Sequence, residues 1–332
     1  MADYKGVLIF AEVAEGKLTG LAQELLGIGR KLADALGEGL SAVVAGSDVA
    51  GVAQQAVAFG ADKVYVVDDP LLKDYLTDPY AAAMQKVIEQ AKPQILLFGQ
   101  TNVGRDLAPK LAFKLGVGLS TDCVDLDIDP ASKKLLQTRP VYGGNARAIF
   151  TSEGFPQIAT ARAKAFSALP KNDSRKGEII NVAAGLTPSV VRTKLVNRVK
   201  EEAAGIKLED ARVIVCGGRG LGGPDNFKLL DSLAKLLGGA VGASRPPCDN
   251  NWVPTTLQIG LTGKIVSPEV YFAVGISGAS QHMAGCTGAK HIIAINKDPE
   301  ANIFREAEFG VVGDLKAVLP ALTEKVKELL KG

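Results

Sequence analysis

The sequence predicts an α/β protein of two domains, each built on a mostly parallel sheet with helices on both faces. In both halves of the chain, short apolar runs alternate with segments of helical periodicity. Strict alternation of this kind is typical of parallel strands whose two faces are covered by the connecting helices. The length points to two domains, because 332 residues exceed the ~250–300 at which a single core stops growing.

In the N-terminal half, four apolar runs predict strands at 6–11, 41–45, 63–67 and 94–98, and helical spacing predicts helices at 21–36, 49–59, 80–91 and 104–115. Apolar and polar residues then alternate at 135–139 and 146–151. This pattern predicts an antiparallel hairpin, with 157–162 as a third strand beside it. Residues 189–199 alternate as well. A polar, small-residue segment at 201–205 marks the expected boundary, which gives domains 1–205 and 206–332.

The C-terminal half repeats the alternation. Apolar runs predict strands at 212–216, 240–243, 270–274, 291–295 and 309–312, and helical spacing predicts helices at 224–237 and 314–330. A long loop is expected at 244–263, where three prolines interrupt the pattern.

Composition excludes several classes of protein. A net charge of +2 with interspersed signs argues against nucleic-acid binding. No apolar run reaches the ~18 residues of a membrane helix, and the first residues resemble neither a signal peptide nor a transit peptide. The four cysteines form no C-x-x-C pair, so no metal or iron–sulfur site is expected. We therefore expect a cytoplasmic protein with reduced thiols that is not an integral membrane protein.

The candidate binding site lies in the C-terminal half. In an open parallel sheet, ligands bind outside the carboxyl ends of the strands. Each predicted strand of this half is followed by glycine together with hydrogen-bonding or charged residues, at 217–223, 244–245, 275–285, 296–299 and 314. One such loop is weak evidence, but five on the same edge predict that this domain binds a ligand.

The segment 275–285 is the most distinctive of these loops. Gly275 and Gly278 allow a tight turn and a close approach to a ligand. Polar residues then crowd a predicted helix start, where free N–H groups and the helix dipole favour an anion. Considered alone, the segment is equally well explained as a capped strand-to-helix turn. Its polar residues are Ser277, Ser280, Gln281 and His282.

A glycine motif suggests a nucleotide. Gly218, Gly220 and Gly223 match G-x-G-x-x-G between a strand and a helix. NAD would require an acidic residue at the end of the next strand, where this chain has Ser244 and Arg245. Arginine there could accept the 2′-phosphate of NADP, so an NADP-dependent oxidoreductase is one alternative. A flavin site and a non-catalytic nucleotide-binding scaffold are the others.

Several motifs together resemble the electron transfer flavoprotein alpha subunit. They are the segments 217–221, 244–245, 262–264, 275–282, 296–300 and 314–315, in the order and spacing of that family. The resemblance covers nearly all of residues 210–320 and extends to the less distinctive segments 101–108 and 139–145.

The resemblance implies a heterodimer with an electron transfer flavoprotein beta subunit, and FAD bound mainly by a Rossmann-like C-terminal domain. AMP or a second FAD would belong to the beta subunit, and the N-terminal, nucleotide-hydrolase-like domain would serve assembly. Donor dehydrogenases, for example acyl-CoA dehydrogenases of fatty acid oxidation, would supply electrons. An acceptor such as a membrane quinone oxidoreductase would receive them. The chain would be an electron carrier rather than a substrate-converting enzyme.

The resemblance also implies individual contacts. Three residues would tune the flavin: Arg245 by its charge, Thr262 through the flavin N5, and His282 as a donor to the N1–C2=O edge. No residue need act as an acid or base, because the flavin carries the chemistry. Leu261 departs from the family pattern, since many relatives have glutamine there. The implied FAD contacts are Arg219, Ser244, Arg245, Ile259, Gly260, Leu261, Thr262, Ser277, Gly278, Ala279, Ser280, Gln281, His282, Asn296, Asp314 and Leu315.

Overall fold

The computed structural model describes residues 4–144, 146–197 and 206–330 and divides into two compact units. Residues up to 141 and from 147 to 197 belong to the first unit. Residues 142–144, 146 and 206–330 belong to the second. Both units are built on parallel sheets flanked by helices, which confirms the predicted α/β class. The predicted boundary at 201–205 lies outside the described residues.

The elements up to residue 115 follow the predicted alternation, with two additional short strands at 13–14 and 17–18, whereas the strands at 119–123, 125–128 and 178–181 were not predicted. The strands are β1 (Val7–Phe10), β2 (Val13–Ala14), β3 (Lys17–Leu18), β4 (Leu40–Gly46), β5 (Lys63–Asp68), β6 (Ile95–Gly99), β7 (Leu119–Cys123), β8 (Asp125–Ile128), β9 (Leu135–Val141), β10 (Ala146–Phe150), β11 (Gln157–Ala161) and β12 (Glu178–Asn181). The helices are α1 (Gly20–Leu36), α2 (Ala53–Ala58), α3 (Thr77–Ala91) and α4 (Asn102–Leu115).

The main sheet of the first unit has the strand order β12-β5-β4-β1-β6-β11-β7. Side chains of β1 alternate between two cores: Val7 and Ile9 pack with α1 and α2, whereas Leu8 and Phe10 pack with α3 and α4. A strand covered on both faces needs apolar residues at every position, which explains why these strands appear in the sequence as continuous apolar runs.

One prediction for the first unit is wrong. Residues 157–162 were expected beside the hairpin, but β11 pairs in parallel with β6 and β7 inside the main sheet. All five residues of β11 are buried, which requires cover on both faces. The hairpin strand β9 instead has β8 as an antiparallel neighbour. The alternation over 189–197 forms no strand: Pro188–Val190 is a single 3₁₀ turn, and proline cannot donate to a sheet. Residues 198–199 lie outside the described residues.

The described residues of the second unit form five strands: β13 (Val213–Gly217), β14 (Ala240–Ala243), β15 (Val270–Val274), β16 (His291–Asn296) and β17 (Phe309–Val312). They make up a parallel sheet in the order β14-β13-β15-β16-β17. This order places a topological switch point between β13 and β15, where ligands bind in open α/β sheets. The helices are α5 (Phe227–Leu236), α6 (Arg245–Asp249), α7 (Ser280–Met283), α8 (Ile303–Glu306) and α9 (Leu315–Leu329).

The two faces of this sheet are covered differently. Helices α5 and α9 pack on one face through Leu230 and Leu319, whereas the short α7 and α8 cover the other through Met283 and Ile303. The predicted long loop at 244–263 is wrong in part, because it contains α6, whose prolines stand at the first helical turn, where a missing N–H is tolerated. Within the described residues, every helix is too short or too polar to cross a bilayer.

Candidate functional site

A cavity of about 990 Å³ opens at the carboxyl ends of strands β13 to β16, including the switch point. A second cavity of about 270 Å³ shares the lining residues Gly220, Gly275, Asn296 and Lys297 with it, so the two are adjacent along this edge. The larger volume is at the upper end of the range for cofactor sites. The edge predicted from the sequence therefore holds a cavity of a size suited to a cofactor.

Most of the predicted site residues meet at this cavity. Gly278 and Ser280 line neither cavity, although both lie between residues that do. Asp314 and Leu315 line the smaller cavity. The larger cavity is lined by Arg219, Ser244, Arg245, Ile259, Gly260, Leu261, Thr262, Ser277, Ala279, Gln281, His282 and Asn296.

The loop after β15 presents free backbone donors. The N–H groups of residues 277–281 make no hydrogen bond to any other described residue. Gly278 has a φ of +84°, in the left-handed region that favours glycine, and residues 277, 279, 280 and 281 of this loop are exposed. The helix dipole invoked from the sequence does not apply, because α7 has only four residues and too few peptide dipoles to sum. The free N–H groups themselves are what this loop offers to an anion, whose binding here stays a prediction.

The glycines after β13 serve packing between loops. Gly220 N–H donates to the Gly275 carbonyl at 2.9 Å, and a Cβ on Gly218 would stand 2.2 Å from the same oxygen. The dinucleotide fingerprint requires the glycine loop to open directly into a helix. Here Pro224–Asn226 forms a 3₁₀ turn and α5 begins only at Phe227. This geometry does not support the NADP-binding alternative.

Two guanidinium groups border the cavity. Arg245, the first residue of α6, donates from Nε to Asp249 Oδ2 at 3.1 Å, and its side chain remains 65% exposed. Arg219 is exposed and forms no ion pair with any other described residue. Both cations can therefore approach a negatively charged ligand without first losing a buried partner.

The Thr262 hydroxyl is oriented by a residue that the sequence did not reveal. Gln258 Nε2 donates to Thr262 Oγ1 at 2.9 Å, and both side chains line the cavity. Because the hydroxyl oxygen accepts this bond, its own hydrogen stays available to donate into the cavity. No sequence signal marks Gln258, since an amide in an irregular segment has many other uses.

His282 is buried beneath the cavity, with 7% of its surface exposed. Its Nδ1 lies 3.1 Å from the Ile259 carbonyl oxygen, and its Nε2 lies 2.9 Å from the Tyr271 hydroxyl. Both ring nitrogens are thus engaged inside the protein. A direct bond from this ring to a flavin stays a prediction, and it would require one of these two bonds to be exchanged. Burial lowers the pKa of His282 to about 4, against the opposing effect of the Ile259 carbonyl, so the ring is neutral at pH 7.

Asn296 and Asp314 brace the loops of this edge. Asn296 Nδ2 donates to the Ile276 carbonyl at 2.8 Å, and its Oδ1 accepts from Asp298 N–H at 3.0 Å. Asp314 caps α9 by accepting from Lys316 N–H. These bonds account for both residue types without a ligand. Their predicted contacts with the cofactor therefore stay predictions.

Sequence reasoning missed part of the lining. The loop after β16 was recognised as one of the polar loops at this edge, but of its residues only Asn296 was predicted to contact the cofactor. The acidic and amide residues that follow Asn296 also line the cavity. Ile276 carries no signal, because an apolar residue after a strand resembles any core residue. Further lining residues are Pro246, Gln258, Lys297, Asp298, Glu300, Ala301 and Asn302.

The neutral state of His282 predicts a pH dependence of stability. Its folded pKa of about 4 lies below the ordinary 6.5, so the unfolded chain takes up the proton first as the pH falls. This contribution is fully present above pH 6.5 and is lost between pH 6.5 and 4, by about 3 kcal/mol. When the wild type and His282→Gln are unfolded with denaturant across this pH range, the difference between their free energies of unfolding should shrink by that amount as the pH falls. A difference that does not change with pH would contradict the neutral state of His282.

Two family models and several curated relatives match this chain. The electron transfer flavoprotein domain matches residues 7–186, and the electron transfer flavoprotein FAD-binding domain matches residues 207–287. The electron transfer flavoprotein subunit alpha of Thermoanaerobacterium thermosaccharolyticum is 47% identical over 330 residues, which is 99% of this chain and 100% of the relative. That of Megasphaera elsdenii is 45% identical, with 99% and 98% covered. Protein FixB of Clostridium saccharobutylicum is 44% identical, with the same coverage.

Proposed function

The chain belongs to the electron transfer flavoprotein alpha-subunit family, and from this premise we propose that it holds FAD at the carboxyl edge of β13–β17 and relays electrons through it. The flavin supplies the redox chemistry when bound. The protein supplies binding, orientation and charge. We assign cofactor binding to the domain 206–332 and assembly to the domain 1–205.

One observation carries the FAD assignment. The loop 277–281, three of whose residues line the cavity, has five N–H groups without a partner among the described residues, and two exposed guanidinium groups border the same cavity, on a chain whose residues 207–287 match the family's FAD-binding domain. A dinucleotide has two phosphates, which backbone N–H groups and arginine recognise, and two flat rings, which need a long site. The two adjacent cavities lie side by side along the sheet edge and together suit a long ligand.

Individual residues have distinct tasks under this proposal. The N–H groups of 277–281 bind the pyrophosphate. The Thr262 hydroxyl, held by Gln258, donates its hydrogen to the flavin ring, with N5 as the expected acceptor. The Arg245 guanidinium supplies positive charge that favours the reduced ring. Asn296 and Asp314 keep the neighbouring loops in place, so that these groups stay aligned.

The family also supports a set of partners. A beta subunit completes the heterodimer and would carry AMP or a second FAD. We propose donor dehydrogenases, acyl-CoA dehydrogenases of fatty acid oxidation among them, and an acceptor such as a membrane quinone oxidoreductase. We place the protein in the cytoplasm, because all four of its cysteines are free thiols and that compartment keeps thiols reduced.

An absorption spectrum of the chain purified with its beta subunit tests this function. We expect a yellow complex with flavin bands that a dithionite titration bleaches. Denaturation should release FAD rather than FMN, as chromatography of the supernatant would show. A colourless complex that binds NADPH would overturn the proposal in favour of a nicotinamide-dependent oxidoreductase.

A further inference from the structure

Two loops that line the larger cavity touch each other through their backbones. We call residues 258–264 the threonine loop, because it carries Thr262, and residues 275–285 the amide loop, because it presents the free N–H groups of 277–281. These two sets of donors lie on different loops. The distance between the loops therefore decides whether one ligand can reach both sets at the same time.

Two backbone hydrogen bonds join the loops. Leu261 N–H donates to the Gln281 carbonyl at 2.7 Å, and Val266 N–H, just beyond the threonine loop, donates to the Gly285 carbonyl at 2.8 Å. Backbone groups have no side-chain torsions with which to adapt, and a hydrogen bond weakens steeply when its geometry is lost. The two bonds therefore hold only at one separation of the loops.

Gly285 and Gly260 make a close backbone contact between the loops. Both residues are buried, and a Cβ on Gly285 would stand 2.3 Å from the Gly260 nitrogen and 2.5 Å from its Cα. Ordinary van der Waals contact begins near 3.4 Å, so an alanine at 285 must move one loop away from the other by about 1 Å. Gly285 has no positive φ, so alanine suits its backbone, and the contact with Gly260 is what excludes it.

The Gly260 backbone also closes the threonine loop. Gly260 N–H donates to the Lys264 carbonyl at 3.2 Å, and the Gly260 carbonyl accepts from Gly263 N–H at 3.0 Å. Thr262 lies within the turn that these two bonds close, where it is exposed and lines the cavity. A side chain at Gly285 would therefore displace Thr262, although Gly285 itself lines neither cavity.

We propose that Gly285 is a positioning residue of the cofactor site, whose missing side chain sets the distance between the Thr262 hydroxyl and the N–H groups of 277–281. The inference rests on the proposed function, because FAD is the ligand that must reach both sets of donors. Binding groups have to be held within about 0.5 Å of their productive positions. Gly285→Ala keeps every donor but shifts the loops by more than that, so the Thr262 hydroxyl should lose its bond to the flavin.

A double-mutant cycle with Thr262→Val tests the proposal in the full chain assembled with its beta subunit. Valine has the shape of threonine without the hydroxyl, so Thr262→Val alone should weaken FAD binding about fivefold, the contribution of one ordinary hydrogen bond. Gly285→Ala alone should weaken it by at least that factor. In the Gly285→Ala background, Thr262→Val should cost less than about twofold, because the bond is already lost. Equilibrium binding of FAD to the four stripped complexes measures these affinities.

Gly239→Ala is the matched control. Gly239 also has no positive φ, and its Cβ would stand 2.5 Å from the Val213 carbonyl oxygen, in the turn before β14 at the opposite edge of the same sheet. The variant therefore introduces a similar backbone contact away from both loops. It should lower stability to a similar degree, leave FAD affinity unchanged and leave the full cost of Thr262→Val in place.

A second substitution keeps the cycle decisive if Gly285→Ala does not assemble with the beta subunit. Gly260→Ala then takes its place, because its Cβ would press on the Gln281 carbonyl oxygen at 3.0 Å, between the same two loops. Additive losses in the cycle would overturn the role of Gly285, even in a complex that binds FAD. So would an FAD affinity of Gly285→Ala equal to that of the wild type.

Hydrogen–deuterium exchange separates this inference from the function on which it rests. Without FAD, the amides of Leu261 and Val266 should exchange faster in Gly285→Ala than in the wild type and in Gly239→Ala, because moving the loops apart breaks both bonds. Equal exchange would overturn the proposed spacing whether or not FAD binds. Faster exchange in Gly285→Ala, with a wild type that fails to bind FAD, would support the spacing and overturn the proposed function.

Discussion

Replacing Gly278 with alanine is expected to lower the affinity of the complex for FAD at least about 100-fold, or about 2.7 kcal/mol. Gly278 has a φ of +84°, and a Cβ at this position would stand 2.3 Å from the backbone nitrogen of Ile303. That nitrogen donates to the Ser277 carbonyl at 3.1 Å, so the loop and the start of α8 are locked together. Alanine must push the loop off α8 and turn its free N–H groups out of alignment. Equilibrium binding of FAD to the stripped complex measures the loss.

A second glycine with positive φ, Gly238, provides the control that separates backbone strain from the loss of FAD binding. Gly238 also has a positive φ, +61°, but it lies in the turn before β14, at the opposite edge of the same sheet, and a Cβ there meets nothing within 4 Å. Gly238→Ala should cost about 1–2 kcal/mol in stability through backbone strain and leave FAD affinity unchanged. Equal affinities for Gly278→Ala and the wild type would show that the loop after β15 does not hold the cofactor.

Replacing Arg245 with glutamine is expected to lower the midpoint potential of the bound flavin by on the order of 100 mV. A unit charge about 5 Å from the reduced ring contributes roughly 3 kcal/mol at an effective dielectric constant of about 20, and ~59 mV corresponds to a tenfold change for one electron. Because the Arg245 side chain is 65% exposed and pairs with Asp249, this figure is an upper bound. Potentiometric titration of the wild-type and variant complexes measures the shift.

Two control variants test whether the charge of Arg245 causes the shift in the flavin midpoint potential. Arg245→Lys keeps the charge and should retain most of the potential, whereas Asp249→Asn removes the compensating carboxylate and should raise it. The difference between wild type and Arg245→Gln should also shrink as salt is added, since exposed charges are screened. A potential that is the same in Arg245→Gln and the wild type would remove Arg245 from the set of flavin-tuning residues.

Local patterns in the sequence were enough to predict most strands. β14, β15 and β17 begin and end at the predicted residues, because each is an apolar run bounded by glycine or polar residues. The place of β11 could not be predicted in the same way. Its partners β6 and β7 are separated from it along the chain, and pairing between distant strands depends on tertiary packing rather than on any residue of β11 itself.

The sequence was sufficient to predict which edge of the sheet holds the site, but not the hydrogen bonds among the residues of the site. Glycine and polar residues after successive strands sufficed to locate the cavity, because parallel strands bring their carboxyl ends together. The engagement of His282 was not predictable. Tyr271 stands eleven residues earlier in a buried strand, where an aromatic residue normally serves only the core. Likewise, a predicted helix start at 280 suggested a dipole, whereas the structure shows a four-residue helix preceded by free N–H groups.

Hydrogen–deuterium exchange tests most directly whether FAD binds at this edge of the chain. Exchange at the amides of 277–281 should be fast in the FAD-stripped heterodimer, because these groups have no partner among the described residues, and should slow markedly when FAD is added. The turn at 237–239, on the opposite edge of the sheet, should exchange equally in both states. Unchanged exchange at 277–281 in a complex that has taken up FAD would contradict the account.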